Sequence, residues 1–152
     1  MCPAGRCAFR PLDKGSLDPQ APGRNPGRSF IGYASGDGFA TPPDLVRFAE
    51  ALRDGTVLDR PYAELFAGAK LPGPEPTSYE AYTMPVSIIN GQWLIGRGGG
   101  GGGSGANWDI YRDTDWVGVV LSNYDDTPLQ EICLKELEAI TGQPVDPPGG
   151  GG

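Results

Sequence analysis

The sequence predicts an α+β fold: an antiparallel sheet of about three to five strands packed by two main helices. Three observations carry that prediction. Two stretches, 41–54 and 128–141, show apolar residues at helical spacing with capping and stop residues at their ends. Between them, from Ser87 to Asn123, short apolar runs alternate with turn residues, and Asn90-Gly91 supplies a strong two-residue hairpin signal. A run of six glycines, Gly98 to Gly103, sits inside that strand-rich stretch.

The chain has 152 residues, enough for one domain with a modest core. Its 25 glycines and 16 prolines overlap low-complexity composition, but they concentrate in the first 28 residues, the run at 98–103 and the tail after Gly142. Residues 1–28 are therefore expected to form a disordered arm, residues 29–142 the folded part and residues 143–152 a disordered tail. The arm is net basic at +3 and the remainder is −10, for a total of −7. That balance argues against nucleic acid as a partner, because phosphate binding needs clustered Lys and Arg. No apolar run reaches the length of a membrane span and the N-terminal stretch shows no apolar signal-peptide core, so no membrane partner is expected and a cytoplasmic location is.

In chain order, Thr41 reads as a helix N-cap, Pro42 as the first helical residue and Asp44 as a first-turn acid. Leu45, Phe48, Ala49 and Leu52 make the apolar face, and Asp54-Gly55 ends the helix. A shorter helix is expected from Arg60 to about Ala67, capped by Asp59. Leu71 to Ser78 carries three prolines and reads as a loop. Tyr79 to Ile89 reads as a strand interrupted at Pro85. The next strand starts near Gln92 and ends at Arg97, and the glycine run reads as a loop before a strand at 107–111. Arg112-Asp113-Thr114-Asp115 forms a longer turn. Thr127 and Gln130 match a capping box, with Pro128 at the first helical position and Leu129, Ile132, Cys133, Leu137 and Ile140 as the apolar stripe.

The absence of histidine excludes a Ser-His-Asp triad, a Cys-His dyad and a His-ligated zinc site. Three scattered cysteines make neither a disulfide framework nor a metal knuckle, and Cys133 reads as a small core residue. Neither a metal nor a cofactor is expected. The glycine run formally contains G-x-G-x-x-G, but a strand rather than a helix follows it, so a dinucleotide site lacks its context. None of the seven serines has a lysine three residues later, which leaves no visible nucleophile-base pair and no catalytic residue. Asp113/Asp115 and Asp125/Asp126 lie in turns, where Asp commonly serves local hydrogen bonding.

Arg97 remains as the candidate binding residue. It follows a strand, precedes bare backbone and is the one basic residue between Lys70 and Arg112. A cation there could hold a carboxylate or an oxyanion beside glycine amides. Residue type alone favours a solvated arginine at a strand end.

The order of these parts resembles a family. Ser35 to Leu52 looks like the helix-entry segment of the β-lactamase-related serine hydrolases, which include class C β-lactamases, D-aminopeptidases and related esterases. Ile95-Gly96-Arg97-Gly98-Gly99-Gly100 is similar to the family's third active-site motif, usually a basic or histidine residue followed by glycine on a strand lining the site. Val119-Val120-Leu121-Ser122-Asn123 and the last helix match in order, so the resemblance spans Phe30 to Gly142. It implies hydrolysis of amides or esters through an acyl-enzyme. In a complete relative a serine attacks, a lysine and a tyrosine handle the proton, and the third motif supports substrate and oxyanion. The Ser-x-x-Lys and Tyr-x-Asn motifs are missing here, and arginine cannot act as a base at neutral pH. The expectation is the C-terminal portion of such a hydrolase, inactive alone, with Arg97, Gly98 and Gly99 contacting a small ester, amide or carboxylate. The alternative is a non-catalytic binding or interaction module built on the same sheet. The sequence sets no oligomeric state.

Overall fold

The computed structural model describes residues 36, 38–82, 84–101, 104–123 and 127–145. Within them, helices α1 (Pro42–Asp54) and α2 (Arg60–Ala67) precede six strands, and helix α3 (Leu129–Thr141) closes the chain. The strands are β1 (Leu71–Pro72), β2 (Ser78–Glu80), β3 (Pro85–Ile89), β4 (Gln92–Gly101), β5 (Ser104–Tyr111) and β6 (Val117–Ser122). They form one antiparallel sheet in sequence order, a meander with every neighbour adjacent in the chain. Six strands exceed the expected three to five for two reasons. The proline-rich stretch expected to be a loop contributes β1, paired Leu71 to Glu80. The strand expected over 79–89 is two strands, and the break falls before Pro85, which opens β3 where no ladder N–H is required of it.

The first helix follows its sequence signals closely. The Thr41 N–H donates to Asp44 Oδ2 at 3.2 Å, and Gly55 takes the left-handed conformation at φ 92° that ends the helix. The last helix departs at its entry. It begins at Leu129 with Pro128 in the cap position and no side-chain cap, because the Thr127 hydroxyl is engaged by Ser122 Oγ instead of the helix backbone. At its end, Gly142 closes the helix in the left-handed conformation and its N–H bonds the Glu138 carbonyl. The arm at 1–28 and the tail from 146 lie outside the described residues. Just after the helix, the Asn90 amide donates to the Gln143 and Pro144 carbonyls at 3.5 and 3.3 Å.

Strand alternation sorts the sheet into two faces. One carries Val86, Ile95 and Ile110, which form the core with Ala49 of α1 and Met84. Phe48 of α1 lies against Trp108 on that face, ring centroids 5.5 Å apart. The opposite face receives α3, with Leu129 set directly over Gly105 and Glu136 over Gly118, where side chains on the strands would block the approach. Both main helices thus pack on the one sheet, from opposite sides.

The turns are held by specific groups. Asn90 and Gly91 both adopt positive φ, 49° and 78°, as the β3–β4 hairpin requires. In the β5–β6 turn the Tyr111 N–H donates to the Trp116 carbonyl at 2.9 Å. Asp113 accepts the Trp93 N–H at 2.7 Å and Asp115 accepts the Arg53 guanidinium at 3.1 Å, so instead of the expected local bonding these acids tie the turn to β4 and to α1. Asp125 and Asp126 lie outside the described residues.

Candidate functional site

The first four residues of the glycine run, Gly98 to Gly101, are strand and not the loop expected of them, while Gly102 and Gly103 lie outside the described residues. β4 continues through Arg97 to Gly101, with Gly98 opposite Asn107, Gly99 opposite Ala106 and Gly101 opposite Ser104. Glycine disfavours a strand entropically, and the ladder to Ser104–Asn107 is what holds it extended. Ser104 therefore opens β5 and does not sit in a turn.

Antiparallel geometry decides which of these amides are open. The Arg112 N–H bonds the Trp93 carbonyl, so the Trp93, Ile95, Arg97 and Gly99 backbone groups point toward β5. The groups of the alternate residues point the other way, and β3 pairs with β4 only as far as Ile95. The Gly99 N–H is thus taken by the ladder, whereas the Gly98 peptide faces the side of β4 that no described strand covers. Gly99 contributes differently: nothing lies within 4 Å of where its side chain would be, which leaves the surface beside Arg97 open.

Arg97 lies on the face of Ile95 and Trp108, directly across from Trp108. It is exposed, and no ion pair among the described residues includes it. Its neighbours on that face are aromatic. Trp108 meets Phe48, which is 43% exposed, and the Trp108 indole N–H is buried without a partner among the described residues. A cation, an outward glycine peptide and an aromatic pair can together hold an anion that carries an apolar group.

On the opposite face sits a polar cluster that sequence reasoning missed. Asp109 is 7% exposed and accepts the Asn107 side-chain amide on Oδ2. Burial, with the neighbouring Glu136 adding to it, pushes its carboxyl up to about 6, against the pull of Asn107. The buried Tyr111 hydroxyl donates to Glu136 Oε1 at 2.8 Å, and burial with these acids raises it well above the ordinary phenol range. Cys133 of α3 is half-buried, and burial followed by Asp109 and Glu136 lifts its thiol to about 11, so it is an inert packing residue. The available signal was Asp109 between Trp108 and Ile110 in a strand, a charged residue at a position whose neighbours are all apolar.

Among the described residues no group of three or more His, Cys, Asp or Glu could hold a metal ion. No described helix is long and apolar enough to cross a membrane.

A helix-flanked antiparallel sheet with a glycine-rich strand beside a cation defines a class, and comparison with known proteins defines the family. The model of the Beta-lactamase family matches residues 4–141, and the chain belongs to that family. The match starts within the stretch expected to stand apart as an arm. No curated protein matches the chain. Among solved structures, a penicillin binding protein from Bacillus halodurans superposes with a TM-score of 0.58 at 18% identity, covering 66% of this chain and 31% of that one. A D-amino acid amidase from Ochrobactrum anthropi SV3, solved with D-phenylalanine, superposes with a TM-score of 0.55 at 23% identity, covering 68% and 37%. This chain matches about a third of the length of each. Both carry the same sheet-and-helix fold, and the family is one of serine hydrolase-like proteins.

Proposed function

We propose that this chain supplies one wall of a β-lactamase-family site, binding a small ester, amide or carboxylate through Arg97 without turning it over alone. The observation that carries the reading is Arg97 itself: a cation with no acid paired to it among the described residues, on a glycine strand with an outward peptide at Gly98 and the half-buried Trp108 and exposed Phe48 alongside. The guanidinium and the Gly98 N–H bind the anionic group, Gly99 keeps the approach clear, and Phe48 with Trp108 takes the apolar part. Catalysis is absent because the proton has nowhere to go. No serine has a lysine three residues on, there is no histidine, and arginine stays protonated.

The binding test uses phenylacetate as the probe. Titration should perturb the amide resonances of Arg97 and Gly98 and the indole resonance of Trp108, and Arg97→Ala should abolish the response. Equal perturbation in the variant would overturn the assignment. The alternative, a non-catalytic module using the same sheet, is separated by adding a polypeptide that bears Ser-x-x-Lys and Tyr-x-Asn. Ester hydrolysis that appears only in the mixture, and is lost with Arg97→Ala, supports the hydrolase reading; no turnover in the mixture supports the module.

A further inference from the structure

The polar cluster under α3 takes no part in the proposed binding and has a design of its own. Gly96, Asp109 and Gly118 lie directly opposite one another on β4, β5 and β6, forming one row across the sheet. A side chain at Gly96 would collide with the Asp109 carboxylate, and one at Gly118 with the Glu136 carboxylate. Neither glycine has positive φ, so each is there for space. The row therefore provides two slots on either side of β5, one over β4 for an acid of the sheet and one over β6 for an acid of the helix. No ion pair among the described residues includes either of them.

We propose that this row is a proton-operated latch: a proton on Asp109 lets that side chain lie near Glu136 under α3 and holds the helix on the sheet, and its loss loosens the helix. Two carboxylates in a low-dielectric site cannot both ionise without repulsion. Glu136 travels with α3, so that repulsion is relieved by lifting the helix. Among the described residues, the groups that act on the pair or feel its charge are Asn107 and Tyr111 of β5 and Cys133 of α3, while β4 and β6 place Gly96 and Gly118 beneath it. Tyr111 and Cys133 keep their protons through the neutral range, so Asp109 is the group of this cluster whose charge changes there.

The sign follows from the direction of the Asp109 shift. Its folded value of about 6 lies above its ordinary 3.8, so its stabilising contribution is complete below 3.8 and is lost as pH rises through 6. Asp44, Asp54 and Glu138 are shifted downward, and their opposite contributions are complete by pH 5. The window from pH 5 to 7.5 isolates the latch.

Amide hydrogen exchange on the full chain tests it, read as protection factors corrected for intrinsic rates. From pH 5 to 7.5, protection across α3 should fall by roughly tenfold or more relative to β5. Asp109→Asn should remove the step, and Glu136→Gln, which keeps an acceptor for Tyr111, should move its midpoint to lower pH. Protection of α3 that is flat or rising with pH in the wild type, or a step that survives Asp109→Asn, overturns the proposal. Should Asp109→Asn fail to fold, carboxyl NMR titration of the wild type decides: a midpoint near 6 for Asp109 sustains the latch, and one below about 4.5 removes it.

Discussion

Arg97 and Tyr111 sit within one sheet and answer to opposite physics. Arg97 is solvated and unpaired among the described residues, so its removal should leave stability nearly unchanged, within about 0.5 kcal/mol, while ending phenylacetate binding. A thermal melt of Arg97→Ala alongside the binding titration checks both halves. Tyr111 is fully buried and donates to Glu136 at 2.8 Å. Tyr111→Phe keeps the ring but leaves that carboxylate oxygen without its donor in a half-buried site. The expected cost is about 1–3 kcal/mol, read as a lower urea midpoint at constant m.

At the scale of elements, the glycines of β4 are not equivalent. Gly99 has open space where a side chain would go, whereas Gly96 meets the Asp109 carboxylate. Gly99→Ala is therefore expected to be neutral or slightly stabilising, because it lowers the entropy of the unfolded chain at an extended position. Gly96→Ala should destabilise markedly, by about 1–3 kcal/mol, as overpacking does. Equal urea midpoints for the two variants would contradict the placement of Asp109 under α3. The same reasoning explains how α3 comes close to the sheet: Leu129 and Glu136 each lie over a glycine of the neighbouring strands.

For the whole molecule, the fold provides a sheet with helices on both faces, and one face presents a cation beside bare backbone. Membership of the β-lactamase family rests on a match over residues 4–141, while the two solved relatives extend well beyond the region this chain matches. Incubation of the chain with a chromogenic ester and a serine-reactive phosphonate is expected to show no turnover above background and no labelled serine. A single labelled serine with turnover would reveal a base that the residue spacing does not disclose.

Local chemistry was legible in the sequence wherever it is decided within a few residues. Thr41-Pro42 and Gly55 bound α1, Asp59 marks α2, and Asn90-Gly91 makes the hairpin, because caps and positive-φ turns depend on near neighbours. The order of helices and strands, and with it the family, follows from such signals taken together. Three features were decided only by tertiary contact. Gly98 to Gly101 form a strand because β5 supplies a ladder, a partner that no property of glycine announces. Leu71–Pro72 pair with β2 because Glu80 is brought opposite, despite the prolines around them. The Asp109 and Glu136 pair is 27 residues apart in the chain and becomes one cluster only when α3 crosses Gly118, since burial and like-charge proximity are properties of the packed state.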